Sequence, residues 1–449
     1  MRNKKTLWNR LEKNPPLFFL TLYLTCIFIS SVLLTSPLGL ASGKEGNFLD
    51  SFFVSTSAIC VTGLTPVVTS EQWSFLGQII IIINIQLGGL GVATAFAAIG
   101  LIAKKQFSMA DRVLLKEEKN QGGVSGIIRL TLFILKATLL IEGSGAFILC
   151  FYFIPKYGFI QGVWFSIFHA ISAFCNAGFD ILGPSSLEDF SSHALLILPI
   201  AFLIIIASFG FPAYADFVYK RGRGKKFSLQ TKIAVSTVFL LLFFGMISIF
   251  FIERKNPETM ADLPLHVQWM NALFQSTTTR TAGFASLNQA GMKEASVLIC
   301  IFLMFIGGSP VGTAGGIKTT TFAAMAFGAV AELRGSEETK IFHRRLKEGT
   351  IQKAFILSFL SLIWIAVVCI LLSITEKFGF LELLFETVSA FATVGLTRGV
   401  TPDLTDFGKV LIILTMLFGK IGPITMLYTF VPKERKHNYR LASEEILIG

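Results

Sequence analysis

Four short segments of the sequence place a hydroxyl residue, small residues and a glycine at one spacing. In each, Ser or Thr stands six places before the glycine, and Leu or Phe follows it directly. The glycines are Gly63, Gly178, Gly283 and Gly395. Glycine permits backbone angles that turn successive carbonyls toward one side, and rings of carbonyls can replace the hydration shell of a bare cation. These segments are therefore candidates for cation coordination by backbone oxygen atoms.

We take four residues of each segment as the candidate selectivity filter. They are Val61, Thr62, Gly63 and Leu64; Asn176, Ala177, Gly178 and Phe179; Thr281, Ala282, Gly283 and Phe284; and Thr393, Val394, Gly395 and Leu396. The hydroxyls before them either tie each short helix to its neighbour or simply permit close helix packing. These hydroxyl residues are Ser57, Ser172, Thr277 and Ser389. No metal is expected beyond the transported ion.

The elements that must position these segments are apolar helices. The chain of 449 residues is 53% hydrophobic and 15% charged, with a mean hydropathy of +0.67, as in membrane proteins. Runs long enough to span a bilayer fall near 16–37, 73–103, 127–154, 193–220, 229–252, 293–332, 350–373 and 405–430. Runs too short to span fall near 48–60, 163–175, 267–280 and 380–392. We predict an all-α polytopic membrane protein with four pseudo-repeats of helix, pore helix, filter loop and helix around a central pore.

Charge and hydropathy together suggest the boundaries of these parts. They give an N-terminal arm over 1–15, repeats over 16–103, 104–220, 221–332 and 333–430, and a C-terminal tail over 431–449. Most Lys and Arg residues fall in the arm, the tail and the loops between repeats, which places both termini in the cytoplasm. Contact of these basic segments with membrane lipids accounts for the net charge of +11 without nucleic acid. The six cysteines lie in apolar stretches with no CxxC pair, so we expect buried thiols.

The third repeat contains a second unusual stretch, over 307–321, that is rich in glycine and includes one proline. The surrounding run, 295–330, would be about 54 Å long as one helix against a hydrocarbon core of about 30 Å. We therefore expect a broken helix and a polar loop that lines the permeation path. Gly312, Gly315, Gly316 and Lys318 lie in this stretch, and Lys420 falls late enough in the fourth repeat to approach it. The stretch differs from a phosphate-binding loop because Ile317 precedes the lysine and no strand comes before it.

Charged residues at membrane depth are functional candidates. Lys420 has two interpretations: a positive charge that raises the barrier to a permeating cation, or a side chain that snorkels to the cytoplasmic surface. Arg280 is expected to hold the filter backbone through hydrogen bonds. Asp180 and Glu386 either concentrate cations at the outer mouth or are simply solvated. His169 is expected to pack against its neighbours and not to bind a metal. No role is assigned to Lys136 or Glu142.

Four repeats with one glycine per filter resemble the Trk/Ktr/HKT superfamily of cation-translocating subunits. The resemblance covers residues 16–430, and Asn176 to Asp180, Thr281 to Phe284 and Thr393 to Leu396 are similar to that family's filter sequences. Length and the short arm are most similar to the bacterial Ktr membrane subunit. The resemblance implies potassium selectivity and gating by the loop over 307–321. The gating residues it implies are Gly312, Gly315, Gly316, Lys318 and Lys420. Lys420 stands where the family often has arginine, and an ammonium cannot make the bidentate contact of a guanidinium.

The same resemblance implies a homodimer in the plasma membrane, on a cytosolic ring of nucleotide-binding regulatory subunits, with sodium modulating transport. Nucleotide would bind to the partner only, since the chain has no Rossmann fingerprint, and no covalently bound cofactor is expected. The sequence thus predicts a potassium-translocating, channel-like subunit. The alternative is a secondary cation-coupled symporter of a small solute, although those usually have inverted or paired repeats. The sequence has neither HExxH nor GxSxG, and we expect no enzyme activity.

Overall fold

The computed structural model describes residues 15–102, 111–112, 115–116, 126–220, 226–336 and 338–422. These residues are mostly helical, and the strands among them are one antiparallel pair, Lys340–Ile341 with Arg344–Arg345. The arm over 1–14 and the tail over 431–449 lie outside the described residues, so the predictions made for them, and for the termini, concern residues that are not described.

Each repeat begins with a long first helix. The four are Pro15–Thr35, Ile127–Tyr157, Leu229–Glu253 and Thr350–Thr375. Among the described residues, these are the single helices long and apolar enough to cross a bilayer. They are apolar around most of their circumference and expose large side chains such as Phe28, Phe243 and Phe359. A helix with this pattern is stable in lipid, because its backbone hydrogen bonds are internal and its outer face is apolar.

A short pore helix follows each first helix. The four pore helices are Phe48–Cys60, Phe159–Cys175, Leu265–Thr278 and Phe380–Ala392. Their last turns are buried in the protein. Since they are too short to span the hydrocarbon core, they end inside the protein, and the filter segments begin there. The predicted short runs correspond to these helices within a few residues.

The second helix is interrupted in the first three repeats, which the sequence predicted for the third repeat alone. The segments are Phe75–Leu90 with Val92–Ile102, Ala194–Ser208 with Phe211–Tyr219, Glu294–Phe305 with Thr319–Leu333, and Asp406–Ile421. The continuous helices predicted over 73–103 and 193–220 were therefore wrong. The breaks fall at Gly91 and Gly210, with φ of 90° and 76°, and the second pair is bent by 85°. Gly422, with φ of 92°, ends the helix of the fourth repeat, and the residues after it are not described.

Buried carboxylates fix the start of the second helix in repeats three and four. Glu253, at the end of its first helix, accepts a hydrogen bond from the backbone N–H of Lys293 at 3.0 Å. Glu376 accepts one from the backbone N–H of Thr405 at 3.1 Å. Free N–H groups and the helix dipole at a helix N-terminus favour a negative charge. Each carboxylate therefore ties the two long elements of its repeat together.

The fourth repeat packs against the first and closes the bundle. The helix Asp406–Ile421 contacts the first pore helix, Phe48–Cys60. Leu372, Ile412 and Met416 share an apolar cluster there with Ile27 and Phe53. An ion pair joins Lys409 Nζ to Asp50 Oδ1 at 2.7 Å. The repeats thus surround a common axis, as the sequence predicted. Short elements outside this plan are Thr69–Gln72, Glu188–Phe190 and Thr401–Asp403.

Candidate functional site

The four filter glycines form a closed ring. Each faces the carbonyl oxygen of the residue before the next glycine, and an ideal Cβ on the first would lie 2.5 Å from that oxygen. The facing pairs are Gly63 with Ala177, Gly178 with Ala282, Gly283 with Val394, and Gly395 with Thr62. Ordinary van der Waals contact needs at least 3.4 Å, so any side chain at these positions would displace a neighbouring filter. All four predicted segments are brought together, in chain order.

The filter backbone is strained at two positions per segment. The glycines have φ of 98°, 70°, 78° and 96°. Two places before each, a residue with a side chain is also left-handed: Val61, Asn176, Thr281 and Thr393, with φ of 60°, 58°, 70° and 53°. A β-branched residue there is a genuine outlier that the surrounding structure must hold in place. Strain repeated at equivalent places of four segments points to a functional conformation.

Hydroxyl groups at the end of each pore helix hold the filter of the same repeat. Ser57 Oγ accepts from the N–H of Gly63 at 3.0 Å, and Ser389 Oγ accepts from the N–H of Gly395 at 3.1 Å. Ser172 Oγ instead donates to the carbonyl of Phe179 at 2.7 Å. These bonds stay within one repeat, so of the two interpretations the tie to a neighbouring helix was wrong for these three residues.

In the third repeat, this anchor is Thr278 and not the predicted Thr277. Thr278 Oγ1 donates to the carbonyl of Phe284 at 2.7 Å, whereas Thr277 Oγ1 bonds within its own helix to the carbonyl of Leu273. The third pore helix ends with a bond from the N–H of Ala282 to the carbonyl of Thr278, four residues back. In the other repeats, the corresponding bond spans five residues, as from Val394 to Ser389. This one-residue difference shifts the anchoring hydroxyl.

The pore helices point their carbonyl ends at the ring. Each ends within three residues of its left-handed filter residue. The partial negative charge at a helix C-terminus stabilises a cation, and four such ends converge here. Asn176 adds a link between neighbouring filters, because its Nδ2 donates to Thr281 Oγ1 at 3.4 Å. The ring can therefore offer backbone oxygens and a favourable field to a bare cation.

An intramembrane loop, residues 306–318, lies directly below this ring. It separates the two halves of the third repeat's second helix, and its ends meet through a bridge between Ile306 and Ile317. It also fills the break in the second repeat: the N–H of Ser309 donates to the carbonyl of Ser208 at 3.0 Å, and that of Phe211 to Val311 at 3.2 Å. Broken backbone at this depth is thus hydrogen-bonded within the protein, as membrane structure requires.

The loop contacts the ends of two pore helices. Thr313 Oγ1 donates to the carbonyl of Phe174, at the end of the second pore helix, at 3.3 Å. A Cβ on Gly315 would meet Thr393 Oγ1, and would lie 2.9 Å from the carbonyl oxygen of Ala392. Gly316 faces the same alanine. The predicted loop glycines therefore allow the loop to approach the second and fourth filters closely.

Three cationic side chains bind carbonyl groups of the loop. Lys318 Nζ donates to Ala314 at 2.6 Å, and Lys420 Nζ donates to Thr313 at 3.4 Å. Arg280 Nη2 donates to Gly307 at 3.2 Å. The prediction that Lys420 approaches this stretch is met by the geometry. The expected bond from Arg280 to the filter backbone was wrong, because its hydrogen bond goes to the loop. The remaining predicted gating residue, Gly312, faces the backbone of Ser309 and Gly210.

The remaining titratable candidates differ in their burial and partners. Glu386 is fully buried and accepts hydrogen bonds from Thr397 and Thr401, so the interpretation of a simply solvated carboxylate was wrong, and its effect on cations stays a prediction. Asp180 is partly buried and accepts from the N–H of Leu182 at 3.3 Å. His169 is buried, with Nδ1 2.7 Å from the carbonyl oxygen of Phe165, as a packing residue would be.

The two unassigned residues of the second repeat differ in burial. Glu142 is buried and accepts a hydrogen bond from Gln86 at 2.6 Å, while Lys136 is exposed. Of the six cysteines, Cys60, Cys175, Cys300 and Cys369 are buried, and Cys26 and Cys150 are partly exposed. Sequence reasoning missed Thr278 and the breaks at Gly91 and Gly210. Paired glycines such as Gly88 and Gly91 in an apolar run were an available signal for these breaks.

Comparisons with known proteins agree on one group. A family described as TrkH, cation transport protein, matches residues 19–439. The chain is 39% identical to the potassium/sodium uptake protein NtpJ of Enterococcus hirae, over 94% of each chain. It is 40% identical to the Ktr system potassium uptake protein B of Bacillus subtilis, over 96% of this chain and 95% of that protein. In fold, it is similar to the potassium transporter TrkH from Vibrio parahaemolyticus, with a TM-score of 0.73 at 18% identity, over 91% of this chain and 84% of that one.

Proposed function

The chain belongs to the TrkH family of cation transport proteins, and from that premise we propose that it is the potassium-translocating, channel-like subunit of a Ktr-type uptake system. Relatives that are named potassium uptake proteins align over nearly the whole chain. In this proposal K⁺ moves down its electrochemical gradient through one pore per chain. K⁺ is the transported ion and not a resident cofactor.

The ring of four glycines is the observation that carries this proposal. In this ring, the backbone carbonyl before each glycine lies next to a neighbouring glycine. Backbone carbonyls held by helix ends and hydroxyl groups can replace the waters around K⁺ without rearranging. A symporter of a small solute would need a midplane site between paired repeats, whereas here the four glycine segments lie against one another.

We further propose that the intramembrane loop is the gate and that its cations contribute to closure. The loop occupies the space below the filter, and Lys318 and Lys420 add positive charge beside it. A cation near a narrow path raises the energy of a second cation that enters it. Movement of Gly312, Gly315 and Gly316 away from the pore helices would open the path and withdraw this charge.

The proposed assembly is a homodimer in the plasma membrane with both termini in the cytoplasm. Cytosolic nucleotide-binding subunits would form a regulatory ring on the basic cytoplasmic loops, and sodium would modulate transport. The chain is similar to Ktr system potassium uptake proteins B and D, and this assembly is what the resemblance to Ktr membrane subunits implies. Binding of nucleotide would then reach the gate through the partner and not through a site on this chain.

The test is Rb⁺ and Na⁺ influx into vesicles that contain the purified protein, for wild type, Gly63→Ser and Gly283→Ser. We expect wild type to take up Rb⁺ and exclude Na⁺, and both variants to lose Rb⁺ uptake or to admit Na⁺. Gly183→Ser is the control, because a Cβ there meets nothing within 4 Å. Rb⁺ uptake of wild-type size and selectivity in both filter variants would refute the filter assignment. A wild type that carries neither ion, alone or with a Ktr-type partner, would refute the function.

A further inference from the structure

Arg280 is the largest side chain that is fully buried in the described part of the chain, with 1% of its surface exposed. It lies two residues past the end of the third pore helix, Leu265–Thr278, where the helix dipole favours a cation. Within the described residues it has no carboxylate partner, and its one side-chain hydrogen bond goes from Nη2 to the carbonyl of Gly307. Its Nε and Nη1 donors have no partner there. Such a costly buried charge requires a reason.

Gly307, the residue that Arg280 holds, joins the two sides of the intramembrane loop. It follows Ile306, which pairs with Ile317 at the far end of the loop. A Cβ on Gly307 would collide with the carbonyl oxygen of Gly315 and lie 3.3 Å from Cγ2 of Thr281. The hydrogen bond from Arg280 therefore acts on a point that touches both sides of the loop and the first residue of the third filter.

The equivalent positions in the other repeats show what is special here. Three places before each filter glycine, the chain has Cys60, Cys175, Arg280 and Ala392. At Ala392 the loop passes so closely that a Cβ on Gly316 would lie 3.3 Å from the alanine Cβ. In the fourth repeat the small residue Ala392 leaves space for the loop, whereas in the third repeat Arg280 forms a hydrogen bond to the loop. The long loop and the arginine belong to the same repeat.

We infer that Arg280 is a positioning residue that couples the intramembrane loop to the third filter. It holds the loop in the position seen here through Gly307, and its two unbonded donors are available to other carbonyls when the loop moves. The inference rests on the proposed function, in which this loop is the gate. The inference concerns the position of the loop and not the geometry of the filter, because the third filter is held by Thr278 and by the end of its pore helix.

The decisive measurement is Rb⁺ influx without regulatory partner for Arg280→Met, Arg280→Lys and wild type. A hydrogen bond to a charged group stabilises by about 1.5–3 kcal/mol, so we expect Arg280→Met to raise basal influx about tenfold or more. Arg280→Lys keeps the charge without the planar fork and should give an intermediate rise. The ratio of Rb⁺ to Na⁺ influx should stay at the wild-type value, which a general loosening of the protein would not allow. Lys136→Met, at an exposed cation of the second repeat, is the control and should match wild type.

A second variant keeps the arginine and displaces its partner. Gly307→Ala places a Cβ against the carbonyl of Gly315 and should give the same rise in basal influx. The double variant should rise no further than either single one, because both remove one contact. If Arg280→Met does not fold, Gly307→Ala decides the question by itself.

Three results would overturn the inference. They are wild-type influx in folded Arg280→Met, additive effects in the double variant, or an altered ion ratio with unchanged Rb⁺ influx, which would make Arg280 a support of the filter. A wild type that passes no Rb⁺ is distinguishable from these, because it would remove the proposed function first.

Discussion

The filter ring and the intramembrane loop are held by different kinds of contact. Each filter is fixed by its own repeat, through a helix end and a hydroxyl a few residues away, such as Ser57 for Gly63. The loop occurs in one repeat and is held mainly by others: Ser208 and Phe174 from the second, Ala392 and Lys420 from the fourth, with Arg280 from its own repeat. In the proposed function, local bonds repeated four times keep the coordination site rigid. The fewer contacts between repeats would let the loop move when one of them changes.

This difference explains why selectivity and gating can be separate properties. A change in the ring alters the geometry of all four filters, since each glycine touches the next. A change in a loop contact shifts the balance between loop positions and leaves the ring intact. The following experiments test that separation.

The largest effect is expected for Gly395→Ala, which places a Cβ against the carbonyl of Thr62 and so pushes the fourth filter off the first. Overpacking costs about 1–3 kcal/mol, which corresponds to a fall in Rb⁺ influx of about fivefold to more than a hundredfold. Gly399→Ala is the matched control: its φ of 91° carries the same backbone strain, but nothing lies within 4 Å. Equal losses in the two variants would mean that strain, and not contact around the ring, is responsible.

A smaller effect of opposite sign is expected for Lys420→Gln. Removal of one positive charge from the path below the filter lowers the barrier to K⁺, by about tenfold in rate for charges about 12 Å apart at an effective dielectric constant near 20. Rb⁺ influx without partner should therefore increase, with the Rb⁺ to Na⁺ ratio unchanged. Lys136→Gln removes an exposed cation and should have no effect. A decrease in influx, or a change in selectivity, would mean that Lys420 supports the filter and not the closure of the loop.

We expect a modest loss of selectivity for Thr278→Val and none for the neighbouring variant Thr277→Val. Thr278→Val removes the bond to the carbonyl of Phe284, and Thr277→Val removes only a bond within the helix. A neutral hydrogen bond contributes about 1 kcal/mol, so the ratio of Rb⁺ to Na⁺ influx should fall about fivefold in the first variant. It should not change in the second. The reverse order would mean that Thr277 supports the filter after all.

The smallest effect is on stability and not on transport. Lys409→Gln leaves Asp50 without its ion-pair partner, at a contact where 11% and 17% of the two side chains are exposed. We expect a loss of about 1–3 kcal/mol, between values for exposed and buried pairs, seen as a lower midpoint of thermal unfolding in detergent. Lys44→Gln breaks a pair exposed by 43% and 58% and should lower the midpoint less. Equal shifts would show that the closure of the fourth repeat on the first does not depend on this pair.

The repeating part of the protein could be predicted from the sequence alone. The short apolar runs near 48–60 and 380–392 coincide with pore helices, and that near 267–280 is shifted by two residues. The filter glycines could be aligned without a structure. Helix length against membrane thickness, and the backbone freedom of glycine, are local properties that a sequence carries directly.

The hydrogen-bond partners of individual side chains became known only from the tertiary structure. It placed Arg280 on Gly307 and not on the filter, buried Glu386 between Thr397 and Thr401, and chose Thr278 over Thr277. A difference of one residue in the bonds that end the third pore helix brings the hydroxyl of Thr278, and not that of Thr277, to the filter. The order of the glycine ring likewise depends on segments more than a hundred residues apart. Such contacts follow from how distant helices pack, because packing selects among several partners that are equally possible locally.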